Sequence, residues 1–174
     1  MTGNKLRFKP VLAVILSIGL AILAGPGLAR AEVVHFKQLM PFVDLKLVGW
    51  TVDAKPSGST IKQGDTSMSQ AQAIYRSGDK TLEIVVMDFL GQAIPFLGAV
   101  QVDMETSEET IRTTTIQGFK AMETFRTQEH HGELNISVAD RFWVKIDGNG
   151  IENLEVLRGV AQQMDLPKLA QLAK

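Results

Sequence analysis

Residues 133–147 read Glu-Leu-Asn-Ile-Ser-Val-Ala-Asp-Arg-Phe-Trp-Val-Lys-Ile-Asp. Leu134, Ile136 and Val138 alternate with Glu133, Asn135 and Ser137; Phe142, Val144 and Ile146 then alternate with Trp143 and Lys145. A period of two is that of a strand with one face in a core and the other turned away from it. The Ala139-Asp140 turn between the two runs is too short for anything except an antiparallel return. An antiparallel sheet with one apolar face needs a second layer to cover that face.

The same pattern extends upstream. Gln128–Gly132 is expected to turn the chain. Phe119, Ala121 and Phe125 share one face of a strand over 119–127, with Lys120, Thr124 and Arg126 opposite. Thr110–Ile116 is β-branched and ends at Gln117-Gly118. A hairpin precedes this meander: Ala71, Ala73 and Tyr75 alternate in 68–76, Ser77-Gly78-Asp79-Lys80 is turn chemistry, and Leu82, Ile84 and Val86 share a face in 81–89. Lys55–Thr66, rich in Pro, Gly, Ser and Thr, reads as a loop after a strand start at Gly49–Val52. Gly78, Gly91, Gly118 and Gly148 read as separate turn glycines, and no glycine-rich phosphate loop is present.

Helices supply the second layer. Phe36, Leu39, Met40 and Val43 recur at helical steps, with Pro41 weakening the end. Downstream of Gly148-Asn149-Gly150, Leu154, Leu157, Val160, Ala161 and Met164 form one stripe. Asn149 with Glu152 three residues on resembles a capping box, and Asp165 can cap a last short helix carrying Leu169 and Leu172. Phe89–Met104 has ten apolar residues of 16 and fits neither period; a helix over Pro95–Met104 is expected, with proline in its first turn. The expected fold is α+β: an antiparallel β-sheet of about five to six strands, a hairpin plus a meander, packed with an N-terminal, a middle and a C-terminal helix.

Composition narrows the function. The chain has 174 residues, no cysteine and a net charge of −1. Residues 1–31 hold four basic groups (Lys5, Arg7, Lys9, Arg30) and no acidic one, leaving 14 basic and 19 acidic residues, a net of −5, over 32–174. An acidic body without basic runs argues against nucleic acid as partner. The absence of cysteine excludes a disulfide scaffold, a thiolate zinc site and a Cys nucleophile. Basic residues 1–10, apolar Val11–Ala24, the Gly25-Pro26-Gly27 break and Ala29-Arg30-Ala31 stand in the order of a secretory leader. The apolar run is shorter than the ~20 residues a spanning helix needs. Cleavage after Ala31, a mature domain over 32–174 and a periplasmic location follow as expectations; a retained N-terminal anchor is the alternative, and membrane contact without spanning stays open.

Candidate chemistry is sparse. Glu129, His130, His131 and Glu133 cluster in sequence, and on a strand Glu129, His131 and Glu133 would share a face able to hold Zn²⁺. The ordinary meaning of the cluster is a polar turn before Gly132. No G-x-S-x-G elbow is present, and no cofactor is expected. Trp143 alternates with Phe142 and Val144, so it faces away from the core, either covered by the first helix or by Phe89–Met104, or forming a contact surface. Within Phe89–Met104, Phe96, Leu97 and Val100 would join that surface if the segment has an exposed face.

Gly49-Trp50, the hairpin Gln70–Phe89, Gln117-Gly118-Phe119, Gly132-Glu133-Leu134-Asn135, Arg141-Phe142 and Met164-Asp165-Leu166 together resemble small exported bacterial proteins of unknown function. Their order is also similar to the Mog1/PsbP-like fold, a curved antiparallel sheet with helices. That resemblance implies a non-enzymatic accessory or binding role and carries no site over. The leading expectation is therefore a non-catalytic exported binding or accessory domain that contacts a partner, a protein or an apolar ligand, through its sheet face or the apolar Phe89–Met104 segment. A carrier of a small apolar ligand or lipid under residues 89–104 is the first alternative, and a metal-dependent enzyme on the His130/His131 cluster the second.

Overall fold

The computed structural model of the chain describes residues 32–63, 66–90 and 101–174. They form an α+β fold: α1 (Phe36–Val43), β1 (Thr51–Gln63), β2 (Thr66–Ser77), β3 (Lys80–Asp88), β4 (Asp103–Glu105), β5 (Glu109–Ile116), β6 (Phe119–Arg126), β7 (His131–Val138), β8 (Phe142–Asn149), α2 (Glu155–Gln163) and α3 (Leu166–Gln171). All strands pair antiparallel in one sheet of order β1-β2-β3-β8-β7-β6-β5-β4. The sheet thus has eight described strands where five to six were expected.

The two added strands lie at the edges, where sequence signals are weakest. The expected loop Lys55–Thr66 is mostly β1, exposed over much of its length. Its Pro56 sits between Ala54↔Ile74 and Ser57↔Gln72, where the ladder slips and no proline N–H is needed. At the other edge, Asp103-Met104-Glu105 pairs with Thr110–Arg112 as β4, so the expected helix over Pro95–Met104 does not reach Met104. The rest of that helix, residues 95–100, lies outside the described residues, as does the leader expectation for 1–31.

Period-two burial holds in the sheet centre. Ala71, Ala73, Tyr75, Leu82, Ile84, Val86, Leu134, Ile136, Val138, Phe142, Val144 and Ile146 are all buried on one face. The described helices cover that face: Leu39 and Val43 from α1, Leu157, Val160 and Ala161 from α2, and Leu166 and Leu169 from α3 join the same core. No helix among the described residues is long and apolar enough to cross a membrane.

Glycines within strands seat the helices. A Cβ at Gly58 would lie 2.7 Å from the Gln70 carbonyl oxygen and from the Phe36 ring. Gly132 and Gly148 stand directly opposite each other on β7 and β8, and a Cβ on either would come within 2.9 Å of Ile151 and of Leu154 or Leu157. Gly148 is therefore a packing glycine inside β8, not a turn glycine. Gly78 and Gly118 do take positive φ in turns, at +59° and +86°.

Other details at the element ends are corrected too. β7 begins at His131, inside the expected Gln128–Gly132 turn, because Arg126↔His131 and Phe125↔Gly132 continue the ladder. Asn149 ends β8 and does not cap α2. That helix starts at Glu155, whose N–H donates to Asn153 Oδ1 at 3.0 Å. At its other end the Gln117 side-chain amide donates to the Ala161 and Met164 carbonyls, 2.7 Å each. Asp165 caps α3 as expected, accepting from the Lys168 N–H at 2.9 Å.

Candidate functional site

The polar half of each central strand faces away from the helices, and register decides which of those side chains meet. Glu109↔Arg126↔His131↔Asn149 forms one row across β5, β6, β7 and β8. Thr124↔Glu133↔Asp147↔Glu83 forms the next, followed by Met122↔Asn135↔Lys145↔Val85. Trp143 stands one step further along β8, opposite Ser137 and Met87.

His131 is held between two partners. Arg126 Nη1 lies 3.0 Å from His131 Nδ1, and His131 Nε2 lies 3.2 Å from both Asp147 carboxylate oxygens. A guanidinium only donates, so Nδ1 accepts and Nε2 carries the proton given to Asp147. Arg126 Nε donates to Glu109 at 3.0 Å, and Nη1 is 3.6 Å from Glu133. Asp147 also takes Lys145 Nζ at 3.0 Å and the Asn149 amide at 3.3 Å. Burial pulls the Lys145 ammonium down, but its bond to Asp147 and the charges of Glu133 and Glu83 outweigh this and leave its pKa raised.

Register thus brings two of the expected metal candidates together and separates the other two. The ligand atoms of His131, Glu133 and Asp147 lie within 4.8 Å of one another. Glu129 and His130 sit in the exposed turn; His130 takes φ +49° and offers its carbonyl to the Ile151 N–H. Glu129, with Glu108, Glu109, Arg126 and Gln128, lines a separate acidic cleft of about 270 Å³. Asp147 is the member that reading the sequence missed. Counting both strands back from the 139–141 turn places it opposite Glu133, so the signal was there in the hairpin register. A metal ion on His131 would have to displace Arg126 or the Asp147 hydrogen bond, because both ring nitrogens are engaged.

Beside this network the same face holds a groove of about 330 Å³, its walls running from Glu109 and Ile111 across Met122, Thr124 and Asn135 to Trp143 and Lys145. Trp143 Nε1 donates to Asn135 Oδ1 at 3.0 Å, and the Phe89 ring stacks on the indole at a centroid distance of 6.3 Å. Helix α1, packed on β1–β3 from the core side, does not cover Trp143. The other expected contact residues, Phe96, Leu97 and Val100, lie outside the described residues.

The chain matches no protein-family model, no curated protein and no solved structure. The site's meaning therefore rests on its own geometry.

A second polar centre lies on the core side. Asp88, fully buried, accepts from Arg141 Nε at 3.0 Å and Nη2 at 2.8 Å, from the Val34 N–H at 2.6 Å and from the Leu90 N–H at 2.9 Å. Arg141 also donates to the carbonyls of Glu32 and Ala173. All four carboxylate lone-pair positions of Asp88 and four of the five Arg141 N–H protons are directed at backbone or at the partner, the signature of a structural tie.

Proposed function

We propose that the chain is an exported, non-catalytic binding or accessory domain that meets its partner or ligand at the groove on the sheet face away from the helices. The observation that carries this reading is the mutual pairing of the charged groups there. Glu109 and Glu133 share Arg126, Asp147 holds Lys145 and the His131 proton, and His131 Nδ1 is taken by Arg126. A general base needs a lone pair free for substrate, and a nucleophile needs a base beside it; the His131 ring, with both nitrogens engaged, serves as neither. Beyond these pairs the groove is lined by the Trp143 indole, two apolar side chains and uncharged polar groups, the lining of a recognition site. The resemblance to the Mog1/PsbP-like group, with its accessory and binding roles, points the same way, and the basic-apolar-small layout of residues 1–31 supports export.

Native mass spectrometry of the protein recovered from its host tests this directly. The expected species is residues 32–174 carrying a noncovalent adduct. A mass retaining residues 1–31 removes the processed, exported form, and a bare chain under conditions that keep noncovalent complexes intact removes the binding role. Zinc titration of wild type against His131→Ala tests the metal-enzyme alternative: equal, weak uptake by both is expected, while tight uptake lost in the variant overturns the non-catalytic reading.

A further inference from the structure

We infer that the groove binds a small neutral polyhydroxylated ligand, a saccharide of one or two rings, through Asn135 and Thr124. This inference rests on the binding role proposed above and names its ligand class.

Asn135 and Thr124 are polar side chains only 4% and 7% exposed, in the middle of the groove floor. Trp143 Nε1 can only donate, so the Asn135 amide must meet it with Oδ1, as it does at 3.0 Å. The orientation of the amide is thereby fixed and its two Nδ2 protons point elsewhere. Nδ2 has no hydrogen-bond partner among the described residues, and neither does Thr124 Oγ1. No buried side-chain nitrogen or oxygen among the described residues is sealed off without a partner, so both atoms open into the groove they line. A nearly buried donor and a nearly buried hydroxyl facing a concavity are groups whose hydrogen bonds are left for something that enters.

The surroundings select the class. A charged ligand has to compete with pairs already made, Arg126 with Glu109 at 3.0 Å and Lys145 with Asp147 at 3.0 Å. A wholly apolar ligand would strip water from Nδ2 and Oγ1 and return no hydrogen bond. A hydroxyl both donates and accepts. It can take a proton from Asn135, exchange one with Thr124, and use the unfilled lone pairs of Glu133 or a second ammonium proton of Lys145. The C–H faces of a sugar ring suit the side chains of Ile111, directly opposite Thr124, and Met122, directly opposite Asn135. A volume of about 330 Å³ sits at the lower end of small-molecule sites, which run ~300–1,000 Å³, and suits one or two rings better than a long chain.

The test is a ¹⁵N–¹H correlation spectrum of the full chain titrated with a panel of neutral hexoses, N-acetylhexosamines and their disaccharides, with glutamate, putrescine and decanoate as controls. At least one saccharide is expected to shift the Asn135 side-chain amide and the Trp143 indole signal, and to leave Trp50 unmoved. Thr124→Val keeps the side chain's shape and is expected to weaken that binding about fivefold, with the remaining spectrum unchanged; Asn135→Leu should weaken it further. Equal saccharide binding by wild type and Thr124→Val overturns the inference, as does a panel that shifts neither signal. Decanoate or a charged control moving these signals instead overturns the saccharide class and leaves the binding role standing. Failure of every probe together with a bare chain in native mass spectrometry removes both.

Discussion

Tyr75, the chain's single tyrosine, shows how one side chain ties α1's exit to the sheet. Its hydroxyl donates to the Val43 carbonyl at 2.5 Å and accepts from the Leu45 N–H at 2.7 Å. Burial pushes the phenol's pKa above its usual 10.0; the Leu45 bond opposes the shift and the Asp44 charge adds to it. A pKa raised in the folded state means the folded chain holds its proton longer than the unfolded one. The contribution is present in full below about pH 10 and is lost as pH rises through the folded value. Phenolate absorbance at 295 nm should therefore appear only above pH 10 and coincide with loss of near-ultraviolet dichroism; titration at pH 10 in a chain that stays folded would contradict the assignment. Tyr75→Phe removes the hydroxyl's bonds to the Val43 carbonyl and the Leu45 N–H, leaving these two groups only their own 3.1 Å bond, and should cost ~1 kcal/mol in urea unfolding. Burial of Tyr75 was legible from its alternation with Ala71 and Ala73, but its hydrogen-bond partners 30 or more residues away were not, because no local rule couples those positions.

Helix α1 rests on β1 only because Gly58 has no side chain. The obstruction there includes the Gln70 carbonyl oxygen, part of the backbone ladder, which cannot rotate away. At Gly148 a methyl would meet the ends of the Ile151 and Leu157 side chains, which can change rotamer. Gly58→Ala is expected to cost ~1–3 kcal/mol and more than Gly148→Ala, measured by urea midpoints at equal slope; the reverse order would refute this account of how the helices are seated. Gln117→Ala removes the donor to two carbonyls at the end of α2 and should cost ~1 kcal/mol. The helices themselves were legible from their stripes. Edge strand β1 was not, because exposed positions carry no hydrophobic alternation, and Pro56 and Gly58 look like loop chemistry until the bulge and the overlying Phe36 are placed beside them.

For the molecule as a whole, the Asp88–Arg141 pair joins both ends of the described domain, through Glu32 and Val34 at the start and Ala173 at the finish. Removing one charge strands the other in a site where Asp88 has no solvent contact. Arg141→Met should cost ~3–5 kcal/mol, and the double variant Asp88→Asn, Arg141→Met less than Arg141→Met alone; equal costs would show that the charges do not depend on one another. The residue types and their period determined by themselves that this chain builds an antiparallel sheet covered on one face, since burial of alternate side chains is a local property of each strand. The association of His131 and Glu133 with Asp147, the opening of Asn135 and Thr124 into a shared groove, and the joining of the described domain's two ends were decided only in three dimensions. They depend on strand register, sheet order and helix placement, which bring together residues that no sequence period relates.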